Sequence, residues 1–158
     1  AHTPNVGPAA GWKPHGSIEE TRAILKSFME EDETWAVVLR SNSQLLGSFG
    51  LHRDAMRGSE IKARALGYVL AEEAWGHGYA TEAAQRVLSF AFEEFGLELV
   101  SVCHFPFNAR SRRVIEKCGF RYEGTIRHAY RRYDNTVLDS CCYSIMREEY
   151  LALKENAQ

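Results

Sequence analysis

A chain of 158 residues is the length of one domain and can bury a core without disulfide staples. Apolar residues make up 45% and charged residues 25%, the composition of a soluble globular protein, and a net charge of −2 gives no general reason to bind nucleic acid or an anionic membrane. No apolar run reaches the length that crosses a bilayer, and the opening residues lack the basic-then-apolar order of a signal peptide. None of the four cysteines (Cys103, Cys118, Cys141, Cys142) lies in a C-x-x-C pair, which argues against a zinc knuckle or a thioredoxin-type motif. They read as reduced, partly buried thiols of a cytoplasmic protein, with the neighbours Cys141 and Cys142 on opposite faces of a strand.

The first sixteen residues are rich in Pro, Gly and small side chains and read as irregular. Ser17 opens a helix, because Ser-Ile-Glu-Glu places a glutamate three positions after a capping serine. Ile18, Ala23, Ile24, Leu25 and Phe28 give that helix an apolar side. Residues 34–40 and 45–52 are β-branched and aromatic runs around a polar turn, a β-hairpin. A loop follows near residues 54–59. Residues 62–70 form a third strand, with Leu66, Tyr68 and Leu70 on one face and Gly67 and Val69 on the other.

The clearest helix comes next. Ala80, Ala83, Ala84, Val87, Leu88, Ala91, Phe92 and Phe95 recur at offsets of three and four, and Gly96 stands where a left-handed cap belongs. Residues 97–104 are a strand. Asn108 caps a helix that runs to Cys118 and stops at Gly119. Residues 120–133 and 136–146 are two strands joined at Asp134-Asn135, a long hairpin. The strand–helix–strand step from Lys62 to His104 predicts a parallel pair, and the flanking hairpins predict antiparallel neighbours. An α/β (α+β) fold with a mixed sheet and helices on its faces follows.

Between the third strand and its helix lies Trp75-Gly76-His77-Gly78-Tyr79-Ala80. Two glycines let the backbone turn with its amides inward. The first N–H groups of the helix lack intrahelical partners and carry partial positive charge, so a phosphate is the natural ligand. Alone, G-x-G is a weak signal that fits a ligand-free turn better than a ligand site. A dinucleotide fingerprint needs a glycine where Thr81 stands, and the Gly-Lys-Ser/Thr of a P-loop is absent.

These residues resemble the acetyl-CoA loop of the GNAT superfamily of N-acetyltransferases, with Gly78 and Ala80 at the pattern's small positions. Trp75 departs from the usual Gln or Arg and is similar to the RimJ/RimL-like subgroup of ribosomal-protein N-terminal acetyltransferases. A second block, Asn108-Ala109-Arg110-Ser111 and then Glu116-Lys117-Cys118-Gly119-Phe120, resembles the same subgroup, followed by Glu123-Gly124, Asp139 and Tyr143. The resemblance implies one GNAT-like domain over residues 1–158. Its sheet is mixed and mostly antiparallel, with a splayed central parallel pair and helices on both faces. The strand and helix that open the family are expected to be absent or replaced, since only sixteen residues precede Ser17.

The resemblance also implies a reaction: a primary amine, from a protein N-terminus or a small molecule, attacks the thioester of acetyl-CoA directly, without a metal. Backbone groups of Tyr68, Val69 and Leu70 would bind the pantetheine, and an N–H near Leu70 would face the thioester oxygen. Gly76, His77, Gly78, Tyr79, Ala80 and Thr81 would surround the pyrophosphate. Asn108 would add an amide contact to pantetheine, and Ser111 matches the position that protonates or hydrogen-bonds the leaving thiolate. Tyr122 is a second donor. The base stays open among His52, His104, Asp54, Glu60 and a water chain to a distant carboxylate. Residues 105–133 hold eight Lys/Arg against two acids, which would draw CoA phosphates, with Arg113 or Lys117 near the adenosine end. The C-terminal hairpin could pair in a homodimer. A non-catalytic acyl-CoA-binding module of the same fold would carry the same motifs.

Overall fold

The computed structural model describes residues 3–156. Its order is α1 (Val6–Ala10), α2 (Ile18–Glu31), β1 (Thr34–Leu39), β2 (Gln44–Arg53), β3 (Ala63–Leu70), α3 (Tyr79–Ser89), β4 (Leu99–His104), α4 (Ala109–Lys117), β5 (Arg121–Arg131), β6 (Val137–Met146) and α5 (Arg147–Asn156). Six strands form one sheet in the order β1-β2-β3-β4-β6-β5. Only β3 and β4 run parallel, paired over Ala63↔Leu99 to Ala65↔Ser101; the other four neighbouring pairs are antiparallel. The helices pack around this sheet.

The predicted starts hold at the level of single bonds. Ser17 Oγ accepts from the Glu20 amide at 3.1 Å. The Glu20 carboxylate reaches back to the amide of Gly16, at 2.6 Å, so the capping box closes one residue early. Asn108 Oδ1 accepts from the Ser111 amide at 3.1 Å and starts α4. The core lies between the sheet and the α3–α4 pair: Phe49, Leu66, Leu88, Ala91, Phe92, Val100, Ile115 and Ile145 are all buried in it. Cys142 faces Cys103 across the β4–β6 ladder while Cys141 packs against the core, and all four cysteines are free thiols.

Four differences from the sequence reading have physical causes. The stretch read as irregular contains α1, whose buried Val6 and Gly7 pack inward although Gly and Pro are poor helix formers; Gly11, at φ 96°, ends it. The helix expected to run unbroken to Phe95 changes to a π-helical turn at Phe90–Glu94, where the Phe95 amide bonds Phe90 five residues back. That extra residue in the turn carries Phe95 off the buried stripe. It is 53% exposed, stacks on Phe90 at 5.8 Å and lies beneath the Arg64 guanidinium. The apolar side of α2 is not buried: Ile24 and Phe28 are half-covered and Leu25 is exposed, so this helix lies shallowly on β1. Finally, α5 follows β6 without a loop. Its signals were present in Arg-Glu-Glu-Tyr-Leu-Ala-Leu-Lys, with acids in the first turn and Lys154 in the last.

Candidate active site

The site is made by a break in the sheet. Beyond Ala65 and Ser101, β3 and β4 no longer pair. Residues 66–70 and 103–105 instead line a cleft of about 560 Å³. Backbone groups released by such a splay need other partners, which is what makes it a ligand site. The cleft gathers Tyr68, Val69, Leu70, Gly76, Gly78, Tyr79, Ala80, Thr81, Asn108, Ser111 and Arg113 from three separate stretches of chain. His77 does not line it; its ring stacks on Tyr79 at 5.5 Å.

The loop before α3 takes its shape from two left-handed residues, Gly76 at φ 82° and Gly78 at φ 84°. No atom lies within 4 Å of where a β-carbon would sit on either one, so the backbone angle rather than crowding calls for glycine. Gly78 opens α3 with no side-chain cap, and the amides of Gly76, His77 and Gly78 have no backbone partner among the described residues. Trp75 anchors the loop. Its indole N–H donates to the Leu70 carbonyl at 3.0 Å, and the Arg110 guanidinium lies 4.1 Å over its ring. One aromatic side chain thus ties the end of β3 to the first turn of α4.

The α4 terminus presents Ser111 to the cleft. Ser111 Oγ and the Tyr68 hydroxyl are hydrogen-bonded at 2.7 Å across 43 positions of sequence. Tyr68 stacks flat on Phe49, with ring centroids 4.8 Å apart. Burial pushes its phenol up to about 12, against the opposing effect of the Ser111 hydrogen bond, so it stays protonated and able to donate. Sequence reasoning placed Tyr68 here only for its backbone; a pairing with Ser111 leaves no local signal. Asn108 uses both ends of its amide within the chain, capping α4 and donating to the Ala9 carbonyl at 3.2 Å.

That second bond belongs to a feature the sequence did not disclose. Val6, Ala9 and Ala10 of α1 form a wall of the cleft. Asn5 reaches Glu72 at 2.8 Å on one side, and Tyr130 donates to the Gly11 carbonyl at 3.1 Å on the other. Tyr122 lies elsewhere: it is 57% exposed, does not line the cleft, and its hydroxyl bonds Thr125 Oγ1 at 2.6 Å.

The four possible bases differ sharply in surroundings. His104 is buried, its Nδ1 donating to the Phe105 carbonyl at 2.8 Å and its Nε2 3.4 Å from the Tyr143 hydroxyl. Asp54 is buried too, with both oxygens used, by the Met56 amide at 2.8 Å and Ser101 Oγ at 2.7 Å. Glu60 is exposed in the β2–β3 loop. His52 sits on β2 beside Glu33. Of the eight cations in residues 105–133, Arg112 and Arg132 are paired with Glu116 and Asp134, and Arg121 with Glu149. Arg113 and Lys117 line the cleft and have no ion-pair partner among the described residues. Their charge, with the open amides of the glycine loop, suits a polyphosphate.

A splayed parallel pair, a glycine loop at a helix start and a cation-lined cleft match what the resemblance to acyl-CoA-dependent transferases implies. The chain belongs to the family described as the Acetyltransferase (GNAT) domain, whose sequence pattern matches residues 2–121. The uncharacterized N-acetyltransferase YoaA of Bacillus subtilis is 29% identical over 136 residues, 83% of this chain and 75% of its own. YdaF of the same organism, whose name proposes a ribosomal N-acetyltransferase, is 34% identical over 112 residues, 69% of this chain and 57% of its own. Among solved structures, a GNAT-family acetyltransferase from Bacillus anthracis superposes with a TM-score of 0.75 at 30% identity, covering 84% of this chain and 76% of its own. The protein is an N-acetyltransferase that moves an acetyl group to an amine, and its family uses acetyl-CoA as the donor.

Proposed function

We propose that the protein acetylates a primary amine in the manner of the RimJ/RimL-like subgroup, with a protein N-terminal α-amino group or a small-molecule amine as acceptor. The observation that carries the catalytic assignment is the hydrogen bond between Tyr68 and Ser111 inside the splay. The subgroup reading is supported by Trp75 in the loop, by the Asn108–Phe120 block and by the similarity to YdaF.

In this reading the pyrophosphate of acetyl-CoA rests on the amides of residues 76–81, and Arg113 and Lys117 neutralise its phosphates. The pantetheine runs along residues 68–70 to the splay. The Tyr68–Ser111 pair donates a hydrogen bond to the sulfur as the carbon–sulfur bond breaks. A phenol held at high pKa stabilises the thiolate by donation, and the serine passes the proton that makes the free thiol. Tyr122, bonded to Thr125 and outside the cleft, is the weaker of the two donors read from sequence.

The test is release of free thiol from acetyl-CoA, followed with a thiol reagent, against an alanine-ended peptide, spermidine and tobramycin. Acetyl-CoA-dependent release with at least one acceptor is expected. Ser111→Ala should lower kcat while leaving CoA affinity near wild type. CoA binding without transfer to any amine would assign a binding module instead.

A further inference from the structure

We propose that His52, oriented by Glu33, is the base that takes the proton from the amine acceptor, and that the acceptor enters on the face of the sheet opposite Tyr68. This rests on the acetyl-transfer reading above and adds the group it leaves open.

The register of the sheet carries the argument. His52 lies opposite Ala65, and Gly50 lies directly opposite Gly67. Directly opposed residues share a face, and alternate residues along a strand do too. His52, Gly50, Ala65 and Gly67 are therefore on one face of the β2–β3 pair, and Tyr68 is on the other. The two glycines leave a notch that the imidazole fills. A β-carbon on Gly50 would stand 2.5 Å from His52 Nε2, and one on Gly67 would stand 3.4 Å from it. Gly67 itself lines the cleft, one residue before Tyr68. The His52 ring thus lies over Gly50 and beside Gly67; His52 itself does not line the cleft, and Gly67 alone separates the ring from its wall.

Glu33 fixes the other nitrogen. Asp32, at φ 52°, ends α2 and turns the chain so that the Glu33 carbonyl accepts from the Leu51 amide at 3.0 Å. The Glu33 carboxylate then lies 3.4 Å from His52 Nδ1. A carboxylate there favours the tautomer with the ring proton on Nδ1, which leaves the Nε2 lone pair free. The side chains of His52 and Glu33 are 41% and 37% exposed, so a substrate ammonium can reach them. Neither buried candidate has that freedom: His104 is bonded at both ring nitrogens, and Asp54 at both oxygens.

The step balances without another reagent. His52 Nε2 accepts one proton from the acceptor ammonium. The freed amine nitrogen forms a bond to the thioester carbonyl carbon, and the carbon–sulfur bond breaks. The sulfur takes the nitrogen's second proton through the Ser111–Tyr68 pair, and His52 returns its own to water. Proton removal and delivery occur on opposite faces of β3.

The experiment compares wild type with His52→Gln, His52→Ala and Gly50→Ala, using the best acceptor among the alanine-ended peptide, spermidine and tobramycin. Both His52 variants should lose about a hundredfold in kcat with acetyl-CoA affinity unchanged, and added imidazole should restore part of the activity of His52→Ala. Gly50→Ala keeps the histidine but drives its ring from the notch, so its kcat should fall too. Wild-type kcat in His52→Gln, or a loss in folded His52→Ala that imidazole leaves untouched, overturns the inference while acetyl transfer stands. A wild-type protein that transfers to none of the amines removes the underlying reading and this inference with it.

Discussion

Tyr68 and Gly78 differ in how much of a residue's role can be read from its neighbours in sequence. Tyr68 alternates like any strand aromatic, yet burial raises its phenol to about 12, and it stacks on Phe49 and bonds Ser111 at the splay. Tyr68→Phe should lower kcat by roughly a hundredfold, the usual cost of one lost donor, with little change in melting temperature; steady-state kinetics beside a thermal melt check both. Gly78, by contrast, is legible from sequence once its turn is read together with the helix that follows and the Asn108–Phe120 block. Gly78→Val places a β-branched residue at φ 84°, costing about 1–3 kcal/mol of backbone strain. Beyond its chain neighbours nothing lies within 4 Å of the added β-carbon, so the domain should fold, and calorimetric titration should show CoA binding at least tenfold weaker.

At the scale of elements, the strength of a pattern decided how well it was read. The α3 stripe was legible because its apolar residues repeat on the helical period, and Phe92 is fully buried where the stripe predicts. Phe92→Ala should cost about 3–5 kcal/mol, visible as a lower urea midpoint. The π turn that follows is invisible to periodicity, since each residue looks helical and only the Phe90–Phe95 bond reveals the wider turn. The cap of α4 is a local signal and was readable. Asn108→Ala should cost about 1 kcal/mol from the cap alone. It also frees the Ala9 carbonyl, so amide exchange should rise in α1 as well as in α4; protection unchanged in α1 would show that Asn108 does not hold that wall.

At the scale of the molecule, charge and long-range ties close the structure. Arg57 makes a bidentate pair with Glu123, at 2.7 and 2.8 Å, joining the β2–β3 loop to β5. Burial alone would raise the Glu123 carboxyl, but hydrogen bonds from Ser144 and Arg57 outweigh it and hold the group below its ordinary 4.5. A depressed carboxylate adds stability that is complete above 4.5 and is lost as pH falls through its lower folded value. The melting-temperature gap between wild type and Glu123→Gln should therefore be largest near neutrality and vanish in strong acid. At the far end, α5 docks by stacking Tyr150 on Phe92 and pairing Lys154 with Glu93 at 2.8 Å. Since Arg113 and Lys117 line the cleft without an ion-pair partner among the described residues, as does Arg110 over Trp75, the KM for acetyl-CoA should rise severalfold with added salt, and less so once Arg113 and Lys117 are alanine.

What the chain's own order determined is whatever depends on neighbours within a few residues. Helix starts at Ser17 and Asn108, the alternation of β3, the α3 stripe and the two-glycine turn are all short-range preferences of backbone angle, capping and burial. Together with the Asn108–Phe120 block they were enough to point to the family the chain belongs to. Tertiary structure decided everything that joins distant stretches: the 2.7 Å bond from Tyr68 to Ser111, the α1 wall on Asn108 and Tyr130, and the His52 ring in the notch of Gly50 and Gly67 beside Glu33. The first of these contacts lies where β3 and β4 part, and all of them depend on how the whole sheet twists and packs rather than on any residue beside them.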